Sequence, residues 1–469
     1  MVLIPAVFAV AAFALNDNER RPWLIPTGAA VHAALTTFLL RFDPGPALGG
    51  ALALDAQGRI VLGLLSVLFF GSSVYAVGYL KVHPERDNRT FTACLLAFLA
   101  ATSLASLSQH FGLLWVAVEA TTLSAAPLLY FKHNARSLEA TWKYLVIGSV
   151  GIALALLGTF FLATAETAGG PVTDVLLFPA MLARGGSLSV PWLRIAVVFL
   201  IVGYGTKMGV APLHTWKPDA YGEAPGVVGF LLAGVSTSCA FLALMRVTRV
   251  CEAAGQADFV RPIFVLTGLL SMGVAAVFVL GQKDFKRMLA YSSVEHMGIL
   301  FLGLGLGGLG VYGAFLHMIN NGLAKGVMFL TAGNIHRRYG SKTVAGVQGL
   351  WREMPLSGVL WTAGFLAVTA TPPFGVFVSE FTILRAAVSG HRWNVVALFL
   401  FFLSVVFAGM ARSVLSMVQG EPPKGHVPDG PGDSLLTTIT PVVLLLATLS
   451  LGLYLPAWLN KALTAAALP

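Results

Sequence analysis

Apolar stretches of about twenty residues recur from one end of the chain to the other, and each is long enough to cross a hydrocarbon layer of about 30 Å as a helix. They fall at roughly 2–15, 22–42, 59–80, 90–108, 110–131, 137–165, 191–217, 224–248, 258–281, 288–308, 310–335, 355–388, 393–418 and 436–460, about fourteen segments in all. Hydrocarbon cannot satisfy an open sheet edge, which makes helix the assignment. Barrel strands would run about ten residues with strict alternation, and that pattern is absent. The polar gaps near 166–190 and 419–435 are too short to bury a core of their own.

Segment one is short, and its charges (Glu19, Arg20, Arg21) follow the apolar run instead of preceding it. It reads as a first membrane helix and not as a signal peptide. With the N-terminus outside, the inner loops hold most of the cations, among them Arg20, Arg21, Lys81, Arg86, Arg89, Lys132, Arg136, Lys217, Lys283, Lys286, Arg287, Arg337, Arg338, Lys342, Arg352, Arg412 and Lys424. This bias places both termini outside. The loop after segment eight, flanked by Arg246, Arg249 and Arg261, votes the other way.

Composition sharpens the picture. Of 469 residues, 57% are hydrophobic and 11% charged, less than half the ~25% of a soluble domain. The net charge of +9 reflects membrane topology better than a nucleic-acid partner. Cys94, Cys239 and Cys251 lack metal-ligand spacing, and the Gly-x-Gly runs near Gly303–Gly310 sit inside apolar helices, where they favour close helix approach. No flavin, iron–sulfur, nucleotide or hydrolytic fingerprint occurs. Neither a cofactor nor a metal site is expected, and the chain carries no redox centre.

Two segments are interrupted, at Gly205-Thr-Lys-Met-Gly-Val-Ala-Pro212 and at Thr369-Ala-Thr-Pro-Pro-Phe-Gly375. Proline removes a backbone donor and glycine weakens the helix. In a membrane, such breaks are tolerated where they face protein or a wet cavity, and they tend to mark ion sites. The breaks fall in segments seven and twelve. Five is an odd number, so a five-segment repeat is inverted across the bilayer. Segments 4–8 and 9–13 form the two halves, giving an N-terminal region of residues 1–89, repeats 90–248 and 258–418, and a C-terminal region of residues 419–469.

Ionisable residues match in the two halves: Glu119, Lys143 and Lys207 in segments five to seven, Glu295, Lys325 and Glu380 in ten to twelve. A charge at mid-membrane costs at least about 2.5–3.5 kcal/mol, so each needs a reason. The bland alternatives are salt bridges between helices and snorkelling, strongest for Lys143 near its helix end. Burial favours the neutral form of such groups and an opposite charge favours the ionised form. A Glu119–Lys207 pair would therefore trap or release a proton as its surroundings change. His317, Asn321 and Lys325 share one helical face. His296, beside Glu295, points about 100° away from it. Glu380 would end the line, and His214 with Asp219 would lie near the inner surface.

These segments resemble a known superfamily. Gly205–Asp219, with Lys207 ahead of Ala-Pro-Leu-His-Thr-Trp-Lys-Pro-Asp, looks like the broken helix of the antiporter-like subunits of respiratory complex I, multisubunit sodium/proton antiporters and membrane-bound hydrogenases. Phe285-Lys-Arg-Met-Leu-Ala-Tyr-Ser-Ser293 and Ala324-Lys-Gly-Val-Met-Phe-Leu330 are similar to its other hallmarks. Tyr291–Gly298 and Trp115–Ser124 look most like hydrogenase-4 component F. The resemblance covers roughly residues 60–420. It implies a 14-helix proton-translocating subunit with a hydrophilic axis, in which Glu119, Lys207, His317, Lys325 and Glu380 take the family's positions. One departure stands out. Segment eight reads Gly234-Val-Ser-Thr-Ser-Cys239 where many relatives carry a lysine or histidine.

The resulting expectation is a proton-conducting, non-catalytic subunit of a group 4 hydrogenase-like oxidoreductase complex in a bacterial or archaeal inner membrane. Its partners would be other membrane subunits, peripheral redox subunits, the lipid bilayer, and protons or sodium. The rivals are a sodium/proton antiporter subunit, and a scaffold whose path is broken at segment eight.

Overall fold

The computed structural model describes residues 1–82, 86–170, 172–421 and 430–468; Lys424 of the inner-loop cations lies outside them. The helices are α1 (Leu3–Ala14), α2 (Leu24–Arg41), α3 (Ala56–Lys81), α4 (Arg89–Leu107), α5 (Phe111–Leu129), α6 (Ala135–Thr167), α7 (Phe178–Ala183), α8 (Val190–Met208), α9 (Trp216–Glu223), α10 (Gly226–Leu231), α11 (Thr237–Ala253), α12 (Ala257–Leu280), α13 (Phe285–Leu306), α14 (Leu309–Tyr339), α15 (Leu350–Glu353), α16 (Pro355–Val368), α17 (Gly375–Ser389), α18 (Trp393–Gln419), α19 (Leu435–Leu453) and α20 (Ala457–Ala467). No strand forms among the described residues, only isolated bridges such as Ala47–Leu52.

Eleven spans among the described residues are long and apolar enough to cross a membrane, and the remaining three segments fall short for identifiable reasons. Segment one (α1) has only 12 residues. Segment eleven (α14) carries His317, Asn320, Asn321 and Lys325 in mid-helix. Segment twelve is divided into α16 and α17. Both expected breaks are present: α8 stops at Met208 and α9 begins at Trp216, and α16 stops at Val368 with α17 resuming at Gly375.

The outer surface is apolar. Along α6, Trp142, Val146, Val150, Leu157 and Phe160 all stand exposed, a helical stripe that water would not tolerate and lipid does. Polar groups turn inward instead. Within the bundle, small residues let helices touch backbone to backbone. A Cβ added to Gly203 of α8 would lie 2.6 Å from the backbone nitrogen of Ala155 on α6. Gly203→Ala therefore overpacks a backbone contact and is expected to cost about 1–3 kcal/mol, read as a lowered Tm of the purified complex.

Two features differ from the sequence pattern. Segment fourteen does not run to 460: Tyr454 is extended, Pro456 follows, and α20 starts afresh. Its buried face, Leu459, Leu463 and Ala466, repeats at helical spacing and packs on α3 and α14. The gap at 166–190 holds α7, secured by an ion pair between Arg184 and the buried Glu166.

Candidate functional site

The break after α8 decides where the buried charges sit. Gly209 takes a left-handed conformation (φ 74°) that glycine adopts without penalty. Its amide donates to the carbonyls of Gly205 and Thr206. The carbonyl of Thr206 also accepts from the indole of Trp216 (2.9 Å), and that of Met208 accepts from the Lys217 ammonium (2.6 Å). The freed backbone groups of a broken membrane helix are thus paired inside the protein, as hydrocarbon requires. A cation at the carbonyl end of α8 also suits the helix dipole.

Lys207, 2% exposed, donates to Thr122 Oγ1 (2.8 Å) and Tyr144 Oη (3.1 Å). Glu119 lies one turn before Thr122 on α5 and accepts from Ser149 Oγ at 3.3 Å, while its second oxygen is buried without a partner. Glu119 and Lys207 are not a contact ion pair. Lys207 donates instead to Thr122, one turn along α5 from Glu119.

The residue the sequence pattern misplaces is Lys217. Counted there among inner-loop cations, it is fully buried. Besides Met208 O, its ammonium reaches the carbonyl of Ser293 on α13 (3.3 Å) and lies over the Tyr221 ring. Met208 is the chain neighbour of Lys207. Ser293 is the neighbour of Ser292, whose hydroxyl accepts from Lys325 at 2.8 Å. Lys217 therefore lies between the end of α8, which carries Lys207, and α13, which carries the Ser292 partner of Lys325, bonded to the backbone of each and to neither lysine's side-chain partners. Segment eight offers no such link. Thr237 and Ser238 return their hydroxyls to their own helix at Ala233 O and Gly234 O, beside a π-helical turn at Leu232–Ser236. The retrospective signal for Lys217 is its setting, Trp216-Lys-Pro-Asp-Ala-Tyr221, where the aromatic and small neighbours are all core residues.

Beyond Lys325, Glu295 is buried one turn from Ser292, and Asn321 leaves its side-chain oxygen unpartnered. His317 Nε2 and His296 Nδ1 are 3.0 Å apart, and His317 Nδ1 meets Ser379 Oγ at 3.0 Å. Glu380, next to Ser379, brings a carboxylate oxygen 4.0 Å from His296 Nδ1. His296, His317 and Glu380 form the one group of metal-type ligands that close together among the described residues. The second break is fixed by Asn320, which donates to Gly375 O at 2.9 Å.

Lys143 does not belong to this buried line. Its side chain is 43% exposed and pairs with Glu139 (2.6 Å) and Asp219 (2.8 Å). Asp219 also meets Arg287 at 3.2 Å. The neighbouring Tyr144 faces the axis instead, because adjacent residues on a helix point about 100° apart. Lys143→Ala is expected to change stability by no more than about 1 kcal/mol and to leave transport near wild type in a vesicle assay. His214 sits in the first break, nearly buried, with Nδ1 unpartnered and its ring near Tyr291.

A family model described as NADH:quinone oxidoreductase/Mrp antiporter, transmembrane, matches residues 108–407. The chain belongs to this family. Among relatives, the hydrogenase-4 component F homolog of Methylacidiphilum infernorum is 31% identical over 395 residues, covering 82% of this chain and 83% of that protein. NADH-quinone oxidoreductase subunit N of Desulforudis audaxviator is 33% identical over 423 residues, covering 85% and 81%. Among solved structures, a chain of respiratory complex I from Thermus thermophilus superposes with a TM-score of 0.79 at 26% identity, over 99% of each chain. A chain of the Mrp complex from Dietzia sp. reaches a TM-score of 0.85 at 19% identity, covering 99% and 96%, a likeness of fold alone. The chain is thus an antiporter-like, multi-pass membrane subunit, and the stretch matched to the NADH:quinone oxidoreductase/Mrp antiporter family contains Glu119, Lys207, Lys217, Lys325 and Glu380. Its structural neighbours are chains of multisubunit membrane complexes.

Proposed function

We propose that this chain moves protons along Glu119, Lys207, Lys217, Lys325, His317, His296 and Glu380 within a group 4 hydrogenase-like redox complex. Peripheral subunits supply the redox chemistry, and the complex resides in a bacterial or archaeal inner membrane. The observation that carries this reading is the position of Lys217, whose ammonium bonds backbone next to Lys207 on one side and next to Ser292 and Lys325 on the other. Three lysines held in sequence repel one another's charge, so a proton gained at one favours loss from the next. Buried carboxylates and imidazoles at either side give and take protons by direct or water-bridged hydrogen bonds. The axis is rich in ammonium and imidazole nitrogen, whereas hard cations are held by shells of oxygen, which favours protons over sodium as the moving species.

The test uses the purified complex in sealed vesicles. Lys207→Ala is expected to abolish redox-driven proton movement while electron transfer continues, and wild-type movement should persist when potassium replaces sodium. Full proton movement in Lys207→Ala would refute the reading, and strict sodium dependence would favour an antiporter.

A further inference from the structure

On the face that the Lys/Arg bias assigns to the cytoplasm, a cavity of about 290 Å³ opens where the N-terminal region and both repeats meet. Arg86, Lys132, Lys286, His336 and Arg337 line it with Asn134, and no Asp or Glu does so among the described residues. Glu223 and Asp284, which do not line the cavity, both face Lys342, the latter at 3.9 Å. Lys286 is 2% exposed and spends one donor on Ala224 O at 2.5 Å, the hinge carbonyl between α9 and α10. Arg337 reaches Gly432 O (3.0 Å) yet keeps its Nε buried and unpartnered. The Lys132 ammonium makes no hydrogen bond or ion pair among the described residues.

Cations gathered round a small recess repel one another, and an anion that enters it removes that repulsion. The guanidinium and ammonium donors suit the tetrahedral oxygens of a phosphate. Ala224, Gly226 and Gly333, which have little or no side chain, also line the recess, whose volume suits a group the size of a phosphate headgroup. We propose that this cavity binds a phosphate group, that of an anionic phospholipid from the cytoplasmic leaflet. Bound there, the phosphate clamps the α9–α10 hinge to α13 and the end of α14, the elements that carry Lys217 and Lys325. This site does not depend on the transport reading, since binding is measured without turnover.

The experiment titrates the delipidated, purified complex with dihexanoyl phosphatidylglycerol, dihexanoyl phosphatidylcholine or inorganic phosphate, following thermal stability and heat of binding. Phosphatidylglycerol should stabilise the wild type saturably and more strongly than the zwitterionic lipid. Lys132→Glu, half-buried at the end of the turn Tyr130–Lys132, should weaken it by about ten-fold or more, while Arg352→Glu, exposed on the same face, leaves it unchanged. If inorganic phosphate alone matches the lipid and is equally weakened by Lys132→Glu, the phosphate site stands and its source is the solution. No saturable response, as expected if an acidic segment of another subunit fills the cavity, or equal affinity in Lys132→Glu and wild type, overturns the proposal.

Discussion

Lys217→Met is expected to reduce redox-driven proton uptake into vesicles to background, a loss of at least about ten-fold, with electron transfer still running. Methionine keeps the length and apolar stem of the side chain but has no proton to pass. The same change strips the donor from the carbonyl of Met208 at the end of α8, so a fall in stability of about 1–3 kcal/mol accompanies it, while Ser293 O keeps its partner within α13. Lys217→Arg separates these effects. Arginine can donate to both carbonyls and stays charged at all relevant pH, so it should restore much of the Tm and none of the transport. A lysine that only braces the break would be rescued in both respects.

Arg246→Leu carries the largest stability effect. The guanidinium is 1% exposed, donates to both carboxylate oxygens of Asp55 (3.0 and 3.3 Å) and to Ser106 O (3.4 Å), and also bonds Ser108 O. It thereby ties α11 to the start of α3 and the end of α4. Removing one partner of such a buried arrangement costs about 3–5 kcal/mol, because the groups left behind have lost their water and gained nothing. Thermal unfolding should shift down sharply, and the chain should accumulate poorly in the membrane, as quantified by immunoblot against an exposed-site control. Arg246→Lys should recover only part of the loss, since an ammonium cannot reproduce the planar fork.

The pattern of apolar segments revealed the architecture because hydrocarbon imposes one rule at every depth, and the breaks at Gly205–Pro212 and Thr369–Gly375 were visible because proline and glycine act locally. What the sequence hid depended on direction. Lys143 and Tyr144 are adjacent, yet the tyrosine turns to Lys207 and the lysine to the surface acids; a run of letters does not show which way a helix faces. Arg246 looked like a loop cation in the outer set, but it is a buried tie and casts no vote on topology. Lys217 looked like the end of segment seven because it follows the break. Only the return of the chain beneath α8 makes its ammonium a cap for that helix and a link to α13. Gly209 belongs to the same device, since a Cβ there would sit 2.7 Å from Lys217 Cδ. In segment eight the hydroxyls of Thr237 and Ser238 are bonded to their own helix, and the Cys239 thiol turns to Thr102 O.

A map of the whole complex at a resolution that shows ordered water tests whether the buried acids and bases form one path. Solvent should be seen bridging Lys207, Lys217, Lys325, Asn321 and His317 without interruption through to Glu380. A dry, apolar gap anywhere between Lys207 and His317 would contradict the path and leave the charged residues as separate braces between helices.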